Sequence, residues 1–567
     1  MYMTKFLFLN KTRIAAVAAI GLMTAILLLS GCSAGYPGGE VTSVSWDEYR
    51  ELISRIEQTA DAGERELLLH RAEDILMKTG AILPIYYPND PYLLRGGVQG
   101  FYAVPNGRKF FTTASYPGHD VLRLCLGPEP GTLDPAMAGS IEDVNMMSIV
   151  FEGLYTYGPD GGCVPALAES CTVSEDQLTY SFTLRDGLAW SDGAPLDAND
   201  FVYSWNRAVD PALGAPLSYF LSVVDGFDDI WEAGEGSLNI SASDDGRIFT
   251  VTLSSPCAYF IDICTMSIAM PVQRAAAEGD LWAAGAGFPS CGGYVVESWR
   301  HGESIVLVRN PSYWNASAVG IPRLELALSA DSVNNLIFYR AGNLDFMTEF
   351  PTDELAALSQ AGDLYVDKTI GTSYAFFNVR SRMFAGKTAE EAATVRRALA
   401  LLIDRQRIVD DCIQTGDTLA NTFVADQMWV GDGLFKRNTE QYTYPLPEEA
   451  GYFSTVYSDD AVRKAVSMLE SVGYKFKDGK LSGETPLSFE FLTNNSAVNE
   501  AIAQCIQQDF AVIGIKMAIR TCDWIAFWGE IDLGDFDMAR MVWLADYSDP
   551  INMLEVFAAR NDCKLGE

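Results

Sequence analysis

The chain has 567 residues, room for about three or four domain-sized units at the usual length, and 49% are hydrophobic against 20% charged, which excludes wholesale disorder. Lys plus Arg number 40 against 75 for Asp plus Glu, a net charge of −35, so a nucleic-acid binder, which needs clustered cations, is not expected. The three histidines, His70, His119 and His301, form no HExxH and stand near no Cys at zinc-ligand spacing, and there is no GxSxG, no P-loop and no GxGxxG opening a helix. No cofactor, metal site or catalytic residue is expected.

Lys5, Lys11 and Arg13 accompany an uncharged apolar run of 16 residues, Ile14 to Leu29. The run is short for a membrane span, which needs roughly 20, and suits a signal peptide. Leu29-Ser30-Gly31-Cys32 then follows the pattern of a bacterial lipobox. The expectation is a leader over 1–31, a lipid on Cys32 and a chain anchored at the extracytoplasmic face of the cell membrane. Residues 32–45 read as a tether.

Apolar residues at helical spacing (Tyr49, Leu52, Ile53, Ile56, then Leu67, Leu68, Ala72, Ile75, Leu76) predict helix from Trp46 to Lys78, in two pieces or one broken at Asp61-Ala62-Gly63. Ala81 to Tyr87 and Val121 to Leu126 read as short buried strands. Thr179 to Leu184 alternates as a strand and stops at the turn Arg185-Asp186-Gly187, and Asp197 is a candidate N-cap of the next helix. Strands over Ile305–Val308 and Leu487–Leu492, and helices over Ala393–Ile403, Asp459–Ser471 and Ala497–Ile513, complete an α/β or α+β pattern in more than one lobe. Ten cysteines follow Cys32, none in CxxC. Export permits disulfides, buried free thiols are the simpler reading, and spacing gives no connectivity.

Several blocks together resemble the extracytoplasmic solute-binding proteins of peptide ABC transporters, the oligopeptide- and dipeptide-binding group. They are GPEPGTLDP (127–135), FEGLY (151–155), the long block from Ala168 to Arg207, CGGYVVESWRHGESIVLVRNPSYWN (291–315), FFNVR (376–380), VRRALALLIDR (395–405) and RMVWLADYSDP (540–550). The resemblance implies a periplasmic-binding-protein-like α/β fold, two large lobes around a cleft plus a smaller extra domain. It assigns 97–150 and 276–377 to lobe I, 151–275 to the extra domain, and 378–567 with 46–96 to lobe III. One segment is out of place, because RELLLHRAEDILMKTGAILPIYYPNDPYLLRGGVQGFYAVPNGRKFF (65–111) resembles the sequence that closes such proteins. The order is that of a circular permutant, whether by genuine rearrangement or by an error of gene assembly, and it predicts that residues 46–78 pack beside the C-terminal region near Phe557.

The resemblance also implies the function, capture of short peptides and delivery to permease subunits with cytoplasmic ATPases, by a monomer that is not an enzyme. In the W-x-x-D-Y pattern, Asp546 would pair with the ligand ammonium, with a turn or cap role as the alternative. Trp543 and Tyr547 would wall the site, Trp543 being equally readable as core. Arg540 would meet a ligand carboxylate or pair with Asp535 or Asp537. Tyr374 would face the cleft or pack in the core, and Asn378 would fix the interlobe crossing. Asp143 and Glu142 stand too far beyond Leu133-Asp134-Pro135 to supply a clear second ammonium contact. Other ligands (nickel chelates, haem, oligosaccharides), a surface sensor or adhesin, and a cell-surface peptidase are the competing readings.

Overall fold

Local capping rules account for the first elements of the computed structural model, which describes residues 43–558 apart from 235, 280, 352–353 and 432. The leader, Cys32 and most of the tether lie outside the described residues. Helix Ser43–Gln58 is followed by helix Ala62–Thr79, whose N-cap Asp61 accepts the Glu64 N–H at 2.8 Å. Gly80, at φ 64°, ends the second helix in the left-handed conformation that glycine adopts freely. Of the predicted stripes, Tyr49, Leu52, Ile53 and Ile56 on one helix and Leu68, Ala72 and Leu76 on the other are buried, while Leu67 and Ile75 are half-buried. Asp197 caps helix Ala198–Ala208, as expected.

Three sheets organise the rest. One has six strands in the spatial order Thr418–Leu419, Ile82–Tyr87, Gly371–Phe377, Met538–Leu544, Ser488–Asn494, Lys516–Cys522. The second has seven: Tyr294–Arg300, Ser304–Arg309, Arg323–Ala327, Val121–Cys125, Phe346–Met347, Asn89–Leu94, Leu364–Lys368. The third is a four-stranded antiparallel sheet within 168–252. Helices Ala389–Leu402, Asp459–Ser471 and Ala497–Val512 pack with the six-stranded sheet around one core. The α/β expectation holds. Ile82–Tyr87 is an interior strand that tolerates Pro84 through a bulge between Pro84 and Tyr86.

The chain passes between the two large sheets at Pro88 and again at Thr369–Ile370. The passages lie side by side: Asn89 pairs with Lys368, and the Thr369 hydroxyl donates to the Pro88 carbonyl at 2.6 Å. The expected lobe boundaries are 96/97 and 377/378, whereas the passages between the two sheets lie at 88 and 369–370. Asn89–Leu94 belongs to the seven-stranded sheet and Gly371–Phe377 to the six-stranded one. Pro88 lacks an N–H and cannot continue a ladder, whereas the apolar pattern on either side of it says nothing about which sheet each half joins.

The early helices dock where the blocks predict. The Tyr49 hydroxyl donates to the Leu554 carbonyl at 2.6 Å, and Arg65 grips Asp549 through two parallel hydrogen bonds of 2.8 and 2.9 Å, both side chains buried. Phe557 packs edge-on to Phe423 and Tyr374 nearby. Glu73 accepts the N–H groups of Phe423 and Val424 at 2.9 and 2.8 Å, and burial pushes its carboxyl up to about 8. Arg65→Met leaves the Asp549 charge buried and unpaired, so urea unfolding should show a loss of roughly 3–5 kcal/mol that Arg65→Met/Asp549→Leu largely restores. An unchanged midpoint for the single variant would show that the pair does not hold the helices.

Candidate functional site

Alternation along Met538–Leu544 sorts the site. Residues directly opposite across a strand pair share a face. Arg540, Val542 and Leu544 therefore lie on the face of Ala375, Ser373 and Gly371, while Met541 and Trp543 lie on the face of Tyr374 and Thr372. The strand is buried from Met538 to Met541 and then emerges, with Val542 41% and Leu544 37% exposed. Leu544 reaches the Asn106–Arg108 loop, its Cδ2 lying 3.5 Å from the position a Cβ on Gly107 would take.

Tyr374 and Tyr547 are both fully buried. Tyr374 sits edge-on to Phe423 at 5.1 Å and its hydroxyl lies 3.5 Å from the Met541 sulfur. Tyr547 stacks on Tyr259 at 4.5 Å and donates to Glu555 at 3.3 Å. Trp543 is partly buried against the same core, with no partner for its Nε1. The ring of Tyr547, expected to wall the site, lies within the core. So does that of Tyr374, the alternative already open from the sequence.

Arg540 does not pair with Asp535 or Asp537. Its guanidinium donates to the Tyr86 hydroxyl at 2.6 Å and to Asn499 Oδ1, and its Nε is unpartnered. Asp537 is taken by Ser381 and the Glu490 N–H. The Ser373 hydroxyl, on Arg540's face of the sheet, is buried and also without a partner. Among the described residues no carboxylate lies within ion-pair distance of Arg540. A buried cation held only by neutral groups is costly, and this one keeps donor capacity for an anion.

Asp546 stands where three parts of the chain meet. The Ala545 N–H before it donates to Ile370 in the interlobe passage at 3.0 Å. The Asp546 N–H donates to Asn552 Oδ1 at 3.0 Å, and its carbonyl accepts from Asn106 at 3.2 Å. Arg108, in the same loop as Asn106, donates to the Thr265 carbonyl at 2.8 Å. Desolvation pushes the half-buried Asp546 carboxyl up to about 6, against the opposing pull of Arg108 and Asn552. No described cation lies within ion-pair distance of it. Three residues on, the Asp549 Oδ1 accepts the Ile551 N–H at 3.0 Å.

Two further residues are structural. Asp143 accepts the N–H groups of Gly131, Thr132, Gly139 and Ser140, leaving little capacity for a ligand. Asn378 donates to the Gly534 carbonyl at 2.8 Å, at the opposite end of its strand from the interlobe passage that it was expected to fix. Tyr86, Ser373, Asn499, Asn106 and Arg108 had no marker in the sequence, because each is defined by a contact far along the chain.

Two unmatched, opposite charges thus flank an emerging strand end beside the interlobe passages. Between its unfolded value near 3.8 and about 6, the folded chain keeps a proton on Asp546 that the unfolded chain releases, so this group's share of stability falls as pH rises through that window. Asp546→Asn should remove that slope from urea midpoints measured between about pH 4 and pH 7; parallel curves for the two proteins would refute the raised carboxyl.

The family model for bacterial extracellular solute-binding proteins, family 5 Middle, matches residues 162–562. The oligopeptide-binding protein OppA of Bacillus subtilis is 28% identical over 455 residues, covering 78% of this chain and 78% of the relative. The probable deoxycholate-binding periplasmic protein YgiS of Escherichia coli is 28% identical over 458 residues, covering 77% and 78%. The structure of the Escherichia coli murein tripeptide binding protein MppA superimposes with a TM-score of 0.62 at 26% identity, over 79% of this chain and 84% of that one.

Proposed function

Because the chain belongs to the bacterial extracellular solute-binding proteins of family 5, we propose that it binds short peptides between its two large lobes and delivers them to an ABC permease powered by cytoplasmic ATPases. The observation that carries this reading is Asp546, a desolvated carboxyl beside the interlobe passage with no described cation as partner. A peptide ammonium supplies that charge, and enclosure strengthens the pair by lowering the local dielectric. Arg540 and the Ser373 hydroxyl are suited to a carboxylate, and the exposed Val542 and Leu544 to ligand side chains. A bile acid, the class named for one relative, carries a carboxylate but no ammonium. It would engage Arg540 and leave Asp546 unpaired, so the geometry favours the peptide.

Binding and hand-over need no catalytic group, and none is assigned. In this reading residues 1–31 are removed, a lipid on Cys32 anchors the monomer outside the cytoplasm, and lobe III is built from 46–87 and 371–558 with lobe I from 89–150 and 276–368. Residues 46–115 take the place that family members give their C-terminal end. The interior position of Ile82–Tyr87 and the contacts of Tyr49 and Arg65 with Leu554 and Asp549 support such a circular permutation.

Calorimetry with a peptide library should show Asp546→Asn binding at least ~100-fold more weakly, the cost of stranding one partner of a buried pair. Wild-type affinity should fall as pH drops below about 6, where the carboxyl protonates. Equal affinity and an equal pH profile in both proteins would reject the assignment. For the permutation, a gene with residues 46–115 moved behind residue 558 should give a protein of unchanged unfolding midpoint and peptide affinity; an aggregated product would argue against it.

A further inference from the structure

The nine described cysteines are free, and Cys125, Cys257, Cys264 and Cys291 are buried. Cys412 and Cys505 are different. They lie 93 residues apart in sequence, yet their sulfurs are 3.5 Å apart, and both side chains are only partly buried. Cys412 belongs to the π-helical segment Val409–Ile413 and Cys505 to helix Ala497–Val512.

The two segments are held together by contacts that do not involve the thiols. Arg407 donates to the Cys505 carbonyl at 2.7 Å and to Asp509 Oδ1 at 2.6 Å, and Asp509 Oδ2 accepts the Asp404 N–H at 2.9 Å. With the backbones fixed in this way, bonding distance, about 2.05 Å, requires the sulfurs to close by only about 1.5 Å through side-chain rotation.

We propose that Cys412 and Cys505 are a disulfide-forming pair that closes when the chain meets an oxidising compartment. Two thiols give up two protons and two electrons to a small-molecule disulfide, which leaves as two thiols, and one S–S bond forms in the chain. The bridge joins two helical segments packed with the six-stranded sheet and closes a long loop, which restricts the unfolded chain far more than the folded one. Cys505 shares its helix with Asn499, which accepts from Arg540. The proposal rests on the extracytoplasmic reading only for where the oxidant is met; the chemistry itself is tested in vitro and does not depend on peptide binding.

The test is incubation of the purified chain with oxidised glutathione, alkylation of remaining thiols, proteolysis without reductant and mass spectrometry. The expected result is one dominant cross-linked pair containing Cys412 and Cys505, about 2 Da lighter than the two thiol peptides together, released by dithiothreitol. Reduction should lower the melting temperature of the oxidised protein by about 2–4 °C, and Cys505→Ser should show neither the cross-link nor that shift. Recovery of both cysteines fully alkylated, as stable glutathione adducts, or linked to other cysteines would overturn the pairing. A failure of peptide binding in the same preparation would leave it standing.

Discussion

The guanidinium of Arg65 against the carboxylate of Asp549 joins points 484 residues apart, and the loop that carries Asp546, at the candidate site, is built on that contact. Asp549 passes the constraint on: its carbonyl accepts the Asn552 N–H, and the Asn552 side chain accepts the N–H of Asp546. A fork-to-fork pair has both distance and direction, so helix Ala62–Thr79 aims the loop as well as holding it. The same helix, through Glu73, holds Phe423 and Val424, and the Phe423 ring packs against Tyr374 beneath the site strand. The early helices are therefore part of the site's foundation.

The interlobe passages carry the second constraint. Thr369 is bonded to Pro88, the Ile370 N–H donates to the Pro105 carbonyl, and the Ile370 carbonyl accepts from Ala545. A change of angle between the lobes has to be absorbed by these few backbone positions, as in hinge closure generally. Asp546 is one residue from that network, so a counter-ion bound there acts next to the point about which the lobes would turn.

The charges of this acidic chain divide into spent and unspent. Asp143 is saturated by backbone donors, and Asp134 by Arg207, Trp282 and the Ala136 N–H. Asp546 and Arg540 are not: among the described residues, the one has no cation and the other no carboxylate within ion-pair distance. A desolvated charge without an ion-pair partner is unfavourable in a folded protein, and under the proposed function a ligand with both an ammonium and a carboxylate would meet both needs.

Much of this was legible in the residues. Asp61, Gly80 and Asp197 mark helix ends because caps satisfy local backbone groups, and the apolar stripes of 46–78 give the buried faces because the helix repeat is local. The resemblance of the RMVWLADYSDP block, not any local pattern, pointed to Asp546 and Arg540. What only the tertiary structure decided depends on strand register and long-range pairing. Tyr374 and Trp543 share the face opposite Arg540, Tyr547 turns into the core against Tyr259, and Tyr86 and Asn499, 454 and 41 residues away, are what Arg540 touches. The two large sheets divide at Pro88 and Thr369 because that is where the two ladders end, and a sequence pattern repeats identically in whichever sheet a strand joins. Local patterns specify which elements form and which face is apolar; only the packed chain determines which distant residues share that face.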